Sequence, residues 1–462
     1  MKSPIRFMAL AALFTLLPTI RGAVAQDWPQ WRGPNRDAKA TGFQAPATWP
    51  ATLTKKWDVP VGDGVANPSL AGDHLYVFSR EGGNEVIRCL NAATGQEVWG
   101  KSYPAEQVQG GDSGFPGPRS TPTVSNGKVV ALGVQGMLTC WNAADGSEAW
   151  KKDEFVGNVP QFHTSSSPII VDGLCIAQLG GQQGAMVAYD LASGEEKWRA
   201  PGGGAAHGSP ALMTVDGMKV VIAPSASSLV AVNAANGKVV WQIQYRHGNY
   251  NAVTPIVDGQ TLIVGGPGAG VGLTAWKLSK QGEELKEEQV WQYSDNPLNF
   301  NTPVVKDGDL YGLSSRDQLF CVKIEAGQAT TGWATPIAAP AAVGQLPIIG
   351  QTLFAQPQPE QGRGEGRGQG RGEGRGQGGG RRGGRGGGVG RPGYGSVVDA
   401  GTVLMALSPA ADLVIFKPSD AEFNQVARYK VSEQGRTYSH PILSGNRIYV
   451  KDADSVALFT VE

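Results

Sequence analysis

Paired cysteines, clustered carboxylates and long apolar runs are all scarce in this chain of 462 residues, and only 17% of its residues are charged. The four cysteines form no CxxC, CxxCH or adjacent pair, so zinc fingers, c-type haem and dithiol chemistry have no support. Cys89, Cys140 and Cys321 share one place in a repeated pattern with Ala188, Ala231, Ala275 and Ala406, while Cys175 stands in another apolar run. A place that takes either Ala or Cys is a small buried slot. No tight acidic cluster offers the converging carboxylates that calcium requires. Asp172, Asp216, Asp258 and Asp307 each precede Gly, where an aspartate forms a turn. Past the first 20 residues, no segment is long and apolar enough for a transmembrane helix.

The start of the chain is different. Lys2 and Arg6 are followed by the apolar stretch FMALAALFTLLPTI (7–20) and the small residues of AVAQ (23–26). This order is that of a secretory signal cut after Ala25, so residues 1–25 are expected to be removed and the rest exported to the periplasm or beyond. No cysteine follows the apolar stretch to take a lipid. Without this basic start and the Arg-rich segment at 361–392, the body is mildly acidic, which gives no support to a nucleic-acid-binding core.

What the chain has in quantity is glycine (66) and proline (30), the composition of many short strands joined by tight turns. It also repeats itself. NAATGQEVW (91–99) returns as NAADGSEAW (142–150), DLASGEEKW (190–198) and NAANGKVVW (233–241). Asn or Asp opens a turn, Gly takes the left-handed position, and Trp supplies a broad apolar face. Around this phrase lies a unit of four short strands led by proline, at Pro68, Pro122, Pro168, Pro210, Pro255 and Pro303, with further units near 395 and at Pro441. A period of this length predicts propeller blades. Trp57, Trp99, Trp150, Trp198, Trp241, Trp291 and Trp333 fit the indole place, and Tyr429 is expected to fill it in the seventh unit. The last unit ends after three strands, and TKKWDVPVG (54–62) is a lone fourth strand. The two together predict an all-β, eight-bladed propeller whose termini share one blade.

The A-x-D-x-x-x-G-x-x-x-W repeat resembles that of the PQQ-like β-propeller family, over about residues 54–461. The resemblance implies eight blades tied by tryptophans. It also implies one of two roles: a dehydrogenase holding pyrroloquinoline quinone (PQQ) with calcium, or a non-catalytic propeller of the branch typified by the outer-membrane assembly factor BamB. The enzymes would be expected to show a vicinal cysteine pair, a catalytic Asp and a Glu/Asn/Asp set. The cysteine pair is absent here, and no Asp stands apart from the turns. DWPQWRGPNRD (27–37) resembles the leader of many exported propellers of this kind. Residues 26–53 are expected to form a strap along the outside, with Trp28 and Trp31 packing down.

One constellation remains. Arg119, His163, His207, His247, Asn301 and His440 all fall shortly before a leading proline. Repeat equivalence would place their loops on one face around the axis, as a polar funnel. The funnel is the candidate ligand site; its side chains could equally satisfy backbone and water at a wet mouth. A metal site is not expected there, because ligands spread around a ring do not converge. Residues 356–393 are low-complexity Arg/Gly sequence, expected to form a disordered loop that acts as a tether or makes a weak polyanion contact through 361–392. The reading as a whole is an exported binding or assembly scaffold with an envelope protein partner and no cofactor; a PQQ-dependent dehydrogenase using the funnel is the alternative.

Overall fold

Each repeat opens with a proline and a short apolar run, and that run becomes the first strand of a four-stranded antiparallel sheet. In the computed structural model, which describes residues 26–110, 113–181, 184–201, 205–245, 251–266, 272–338 and 394–462, there are eight such sheets and, among the described residues, no helix. The first strands are Ser69–Ala71, Thr123–Ser125, Ile169–Val171, Ala211–Val215, Ile256–Asp258, Val304–Lys306, Ser396–Asp399 and Ile442–Ser444. Those of neighbouring blades touch, which makes them the inner wall of the ring. An innermost strand is a sheet edge, so a proline at its start costs no ladder hydrogen bond. The proposed signal segment and the Arg/Gly insertion lie outside the described residues.

The repeated phrase does two jobs at once. Gly95, Gly146, Gly194 and Gly237 have φ between 70° and 73°, and each lies under the indole of the preceding blade: Trp57, Trp99, Trp150 and Trp198. The indole N–H then donates across the interface, from Trp99 to Ala143 O, Trp150 to Leu191 O and Trp198 to Ala234 O, each at 3.0 Å. Within its own sheet each indole stands opposite the small slot: Cys89 pairs with Trp99, Cys140 with Trp150, Ala188 with Trp198, Cys321 with Trp333. A β-bulge follows that pair in every one of these blades and twists the outer strand.

Blade seven departs from the pattern. Ala406 lies in its second strand rather than in the small slot, and the bulge follows Ile415, which pairs with Ala427. Tyr429 therefore stands two residues past the indole place. The repeated phrase is missing from this unit, so its register could not be read by alignment. Trp49, from the stretch before the first blade, packs on Tyr429 at 6.2 Å and joins the same core, and Tyr429 donates to Pro50 O at 2.7 Å.

Ring closure is as expected. Thr54–Pro60 pairs with Ser455–Thr460, with Trp57 opposite Leu458 and its ring 6.0 Å from that of Tyr449. Beside this joint, the buried Lys451 donates to Gly64 O at 2.6 Å and to Asp452 O at 3.0 Å, tying blade eight to the loop before blade one. Burial pulls its amine down from 10.5 to about 8. Between those values the unfolded chain holds a proton that the folded one has released, so this group makes stability rise with pH. The expected gain is about 3 kcal/mol from pH 8 to 10.5. Urea unfolding of the wild type and of Lys451→Met at pH 7.5 and pH 10 checks it. The gap between the two proteins should shift in favour of the wild type at the higher pH, and a constant gap would contradict it.

The stretch before the first blade does not run along the outside. It fills the central hole and touches the inner wall of every blade. Trp28 exchanges backbone hydrogen bonds with Leu70, and Val124 N donates to Pro29 O at 2.8 Å. Arg36 donates to Pro168 O and Pro210 O, and Trp31 Nε1 to Thr254 Oγ1 at 3.0 Å. Arg32 donates to Thr302 O and Pro303 O, each at 2.7 Å. Ala40 N donates to Asp399 O at 2.7 Å, and Gln44 N to Gly445 O at 2.8 Å. The reason is the edge itself. Eight inner strands leave carbonyls facing the axis, and two five-donor guanidiniums on a short loop reach three blades. Arg32, Arg36 and Ala38 hold positive φ to make the turns. Burial lowers both guanidiniums, Arg32 to about 10 and Arg36 to about 9, so both stay charged at neutral pH.

Candidate functional site

The residue just before each leading proline builds a ladder that joins the blades. Thr121 N donates to Ser167 Oγ (3.0 Å), Ser167 N to Ser209 Oγ (2.9 Å), Ser209 N to Thr254 Oγ1 (3.2 Å) and Thr254 N to Thr302 Oγ1 (3.0 Å). Proline holds the preceding residue extended, so that each hydroxyl accepts from the backbone N–H of the blade before it. This is why Ser-Pro and Thr-Pro recur in the sequence.

Two residues earlier, the chain faces a cavity. Counting three back from each leading proline gives Val65, Arg119, Ser165, His207, Ala252, Phe300 and Tyr438, and the same register in blade seven gives Tyr394. All eight line one cavity of about 330 Å³ on the axis. Trp31 reaches up from the axial stretch to floor it. The hole is thus a blind cup rather than a channel.

Its wall is divided. Phe300 stacks on Tyr394 (centroids 4.1 Å, 17°), Tyr394 meets Tyr438 (4.7 Å) and Tyr438 meets Phe115 edge-on (5.4 Å), so rings run from blade six through seven and eight to two. Blades three to five present Ser165, His207, Ser209 and Thr254, with Ala252 and the ring of Phe162 among them, the latter 6.3 Å from that of His207. Ser165 Oγ lies 2.9 Å from His207 Nδ1. Between the two arcs, Arg119 donates to Phe162 O in the next loop and to Phe115 O at 3.2 Å in its own, pinning both. Phe162 and His163 both adopt positive φ, 68° and 64°, an uncommon state for non-glycine residues and one that the surrounding structure must sustain.

The six candidates read from the sequence therefore separate. Arg119 and His207 line the cup. His163 belongs to the strained loop but does not line the cavity. Asn301 and His440 are two and one residues before their prolines, and both are buried behind the wall. His440 sets its ring edge-on to Trp31 at 4.7 Å, and burial with Arg32 nearby holds it well below the usual imidazole range, so it stays neutral. Its two ring nitrogens have no hydrogen-bond partner among the described residues. His247 lies outside the described residues. The alignment treated unequal offsets from proline as equivalent, and depth in the wall follows the offset. The aromatic residues carry no polar signal, and the three-before-proline register marks only Phe300 and Tyr438 of them in the sequence.

No group of three His, Cys, Asp or Glu suited to a metal occurs among the described residues, and no carboxylate is among those lining the cup. Calcium takes six to eight oxygen ligands, usually with carboxylates, so the cup's donor set does not fit a quinone–calcium pair. No described helix is long and apolar enough to cross a membrane.

Comparison with known proteins agrees with this architecture. The BamB of Shewanella oneidensis is 25% identical over 230 residues, 46% of this chain and 55% of that protein. Quinohemoprotein alcohol dehydrogenase ADH-IIG of Pseudomonas putida is 25% identical over 138 residues, 29% of this chain and 19% of that one. The chain thus spans little more than half of the former and under a fifth of the latter. Among solved structures, BamB of Moraxella catarrhalis has a TM-score of 0.56 at 13% identity, covering 88% of this chain and all of that one. Quinohemoprotein alcohol dehydrogenase of Comamonas testosteroni has a TM-score of 0.57 at 14% identity, covering 96% and 81%. Likeness at these identities is likeness of fold. The sequence model for the family described as outer membrane protein assembly factor BamB matches residues 46–208 and 177–357, more than half the chain. The chain belongs to that family of PQQ-like β-propellers.

Proposed function

We propose that this chain is an exported, non-catalytic propeller that serves as a binding and assembly scaffold in the cell envelope, working with an envelope protein partner. The observation that carries the reading is the family match across residues 46–357. Two features support it. The axial hole is filled by the chain's own N-terminal stretch, which leaves the rim and outer strands as the surfaces open to a partner. In blade five, Leu273–Gln281 and Glu284–Tyr293 form a long hairpin whose far half is mostly exposed and densely charged, a projecting edge for recognition. The relatives named as dehydrogenases motivate quinone-dependent oxidation as the second reading, against which stands the lack of carboxylates at the cup.

Deleting the gene should lower the amounts of outer-membrane β-barrel proteins, and the tagged full-length protein should co-purify with the machinery that inserts them. Normal barrel levels together with tight, stoichiometric PQQ binding in calcium and dye-linked alcohol oxidation would replace the scaffold reading with the enzymatic one.

A further inference from the structure

The scaffold reading leaves the axial cup unused, yet its construction is not that of an incidental mouth. Every blade contributes one side chain at one register, the floor is the half-buried indole of Trp31, and the loop carrying Phe162 holds two consecutive strained residues. Its volume of about 330 Å³ lies in the range of small-molecule pockets, about 300–1,000 Å³.

The division of the wall says what shape of molecule it suits. In a ring of eight, blade eight faces blade four and blade seven faces blade three. Tyr438 is therefore across the axis from His207, and Tyr394 across from Ser165. A ligand in the cup meets the Phe300–Tyr394–Tyr438 arc on one side and, on the other, hydroxyl and imidazole groups beside the single ring of Phe162. Most of the rings are stacked on or tilted against one another along a single arc. The absence of carboxylates among the described lining residues, with Arg119 present, disfavours a cation. A saturated ring with one apolar face and a rim of hydroxyls matches both walls. From this geometry we infer that the cup binds a pyranose sugar, its C–H face against the Phe300–Tyr394–Tyr438 arc and its hydroxyls toward Ser165, His207, Ser209 and Thr254. The ring C–H bonds and the aromatic faces supply apolar contact. Hydroxyls at the opposite wall exchange hydrogen bonds with water for equivalent ones to protein, which gives orientation more than affinity.

The test is calorimetric titration of the mature full-length protein with glucose, N-acetylglucosamine and glucuronate, each alone, followed by NMR saturation transfer to the sugar protons. Saturable one-site binding of at least one of these is expected, with saturation strongest on protons of one ring face. His207→Ala and Tyr438→Leu should each weaken it roughly tenfold, the effect of one lost hydrogen bond or ring contact. Circular dichroism melts of both variants establish that they are folded, and Ser165→Ala replaces either one that is not. Failure of all three sugars to saturate, binding indifferent to these substitutions, or PQQ binding that no sugar displaces would overturn the assignment. Co-purification with the assembly machinery should be unchanged in His207→Ala, so loss of sugar binding and loss of the scaffold role are separate outcomes.

Discussion

Replacing Arg32 and Arg36 together by alanine is expected to lower the thermal midpoint by about 10 °C. The two guanidiniums donate to backbone carbonyls in blades three, four and six. These strands are the inner edges of their sheets, so the fold offers their carbonyls few other donors, though Pro168 O also accepts from Thr123 Oγ1 at 2.8 Å. Hydrogen bonds to charged donors contribute roughly 1.5–3 kcal/mol each, and buried acceptors left alone forfeit their hydration as well. A total loss on the order of 6 kcal/mol follows, even with incomplete additivity. Lysine at both positions should not restore stability, since an ammonium cannot span two carbonyls of different blades as a planar fork does. Differential scanning calorimetry of the wild type, the alanine pair and the lysine pair measures this. A midpoint within 2 °C of the wild type for the alanine pair would mean that the axial stretch is held by its apolar residues alone.

The second large effect is expected at Gly146. Its φ is 70°, and a Cβ built there would lie 2.6 Å from Trp99 Cε3. Alanine must bear the left-handed backbone and also push the indole from its seat. The first costs about 1–2 kcal/mol and overpacking adds about 1–3 kcal/mol, so Gly146→Ala should lose roughly 3 kcal/mol. Gly127 is the control. It lies in the same blade at φ 71° with open space where its Cβ would be. Gly127→Ala should lose only the backbone part, about 1 kcal/mol. Chemical denaturation of both variants separates strain from packing, and equal losses would show that the indole seat contributes nothing.

This pair of glycines also shows what the sequence discloses. The nine-residue phrase is legible because the turn and the indole seat act on the same few residues in blade after blade, so physics writes them repeatedly. Strand count, inner-edge prolines and the shared closing blade follow from that repetition. Blade seven was misread at Ala406 and Tyr429 because it lacks the phrase, and its missing indole is replaced by Trp49 from about 380 residues away, a substitution no local pattern announces. The axial stretch was placed on the wrong side of the wall for a related reason. Its two arginines donate mainly to backbone carbonyls, which carry no residue signature. At the cup, Arg119 and His207 were found, while Asn301 and His440 were taken as equals despite standing closer to proline. Only the offset distinguishes a side chain that faces the axis from one that faces the neighbouring blade.

The shared blade has a consequence in time. Thr54 pairs with Thr460, so the first and the last of the described strands are partners. A chain synthesised from its N-terminus must carry Thr54–Pro60 without its mate until some 400 further residues have appeared. Seven sheets can assemble on their own during that wait, each from neighbouring sequence. The eighth is a clasp that only a chain carried through Thr460 can fasten, and one cut short before it would present an open, sticky arc to its surroundings.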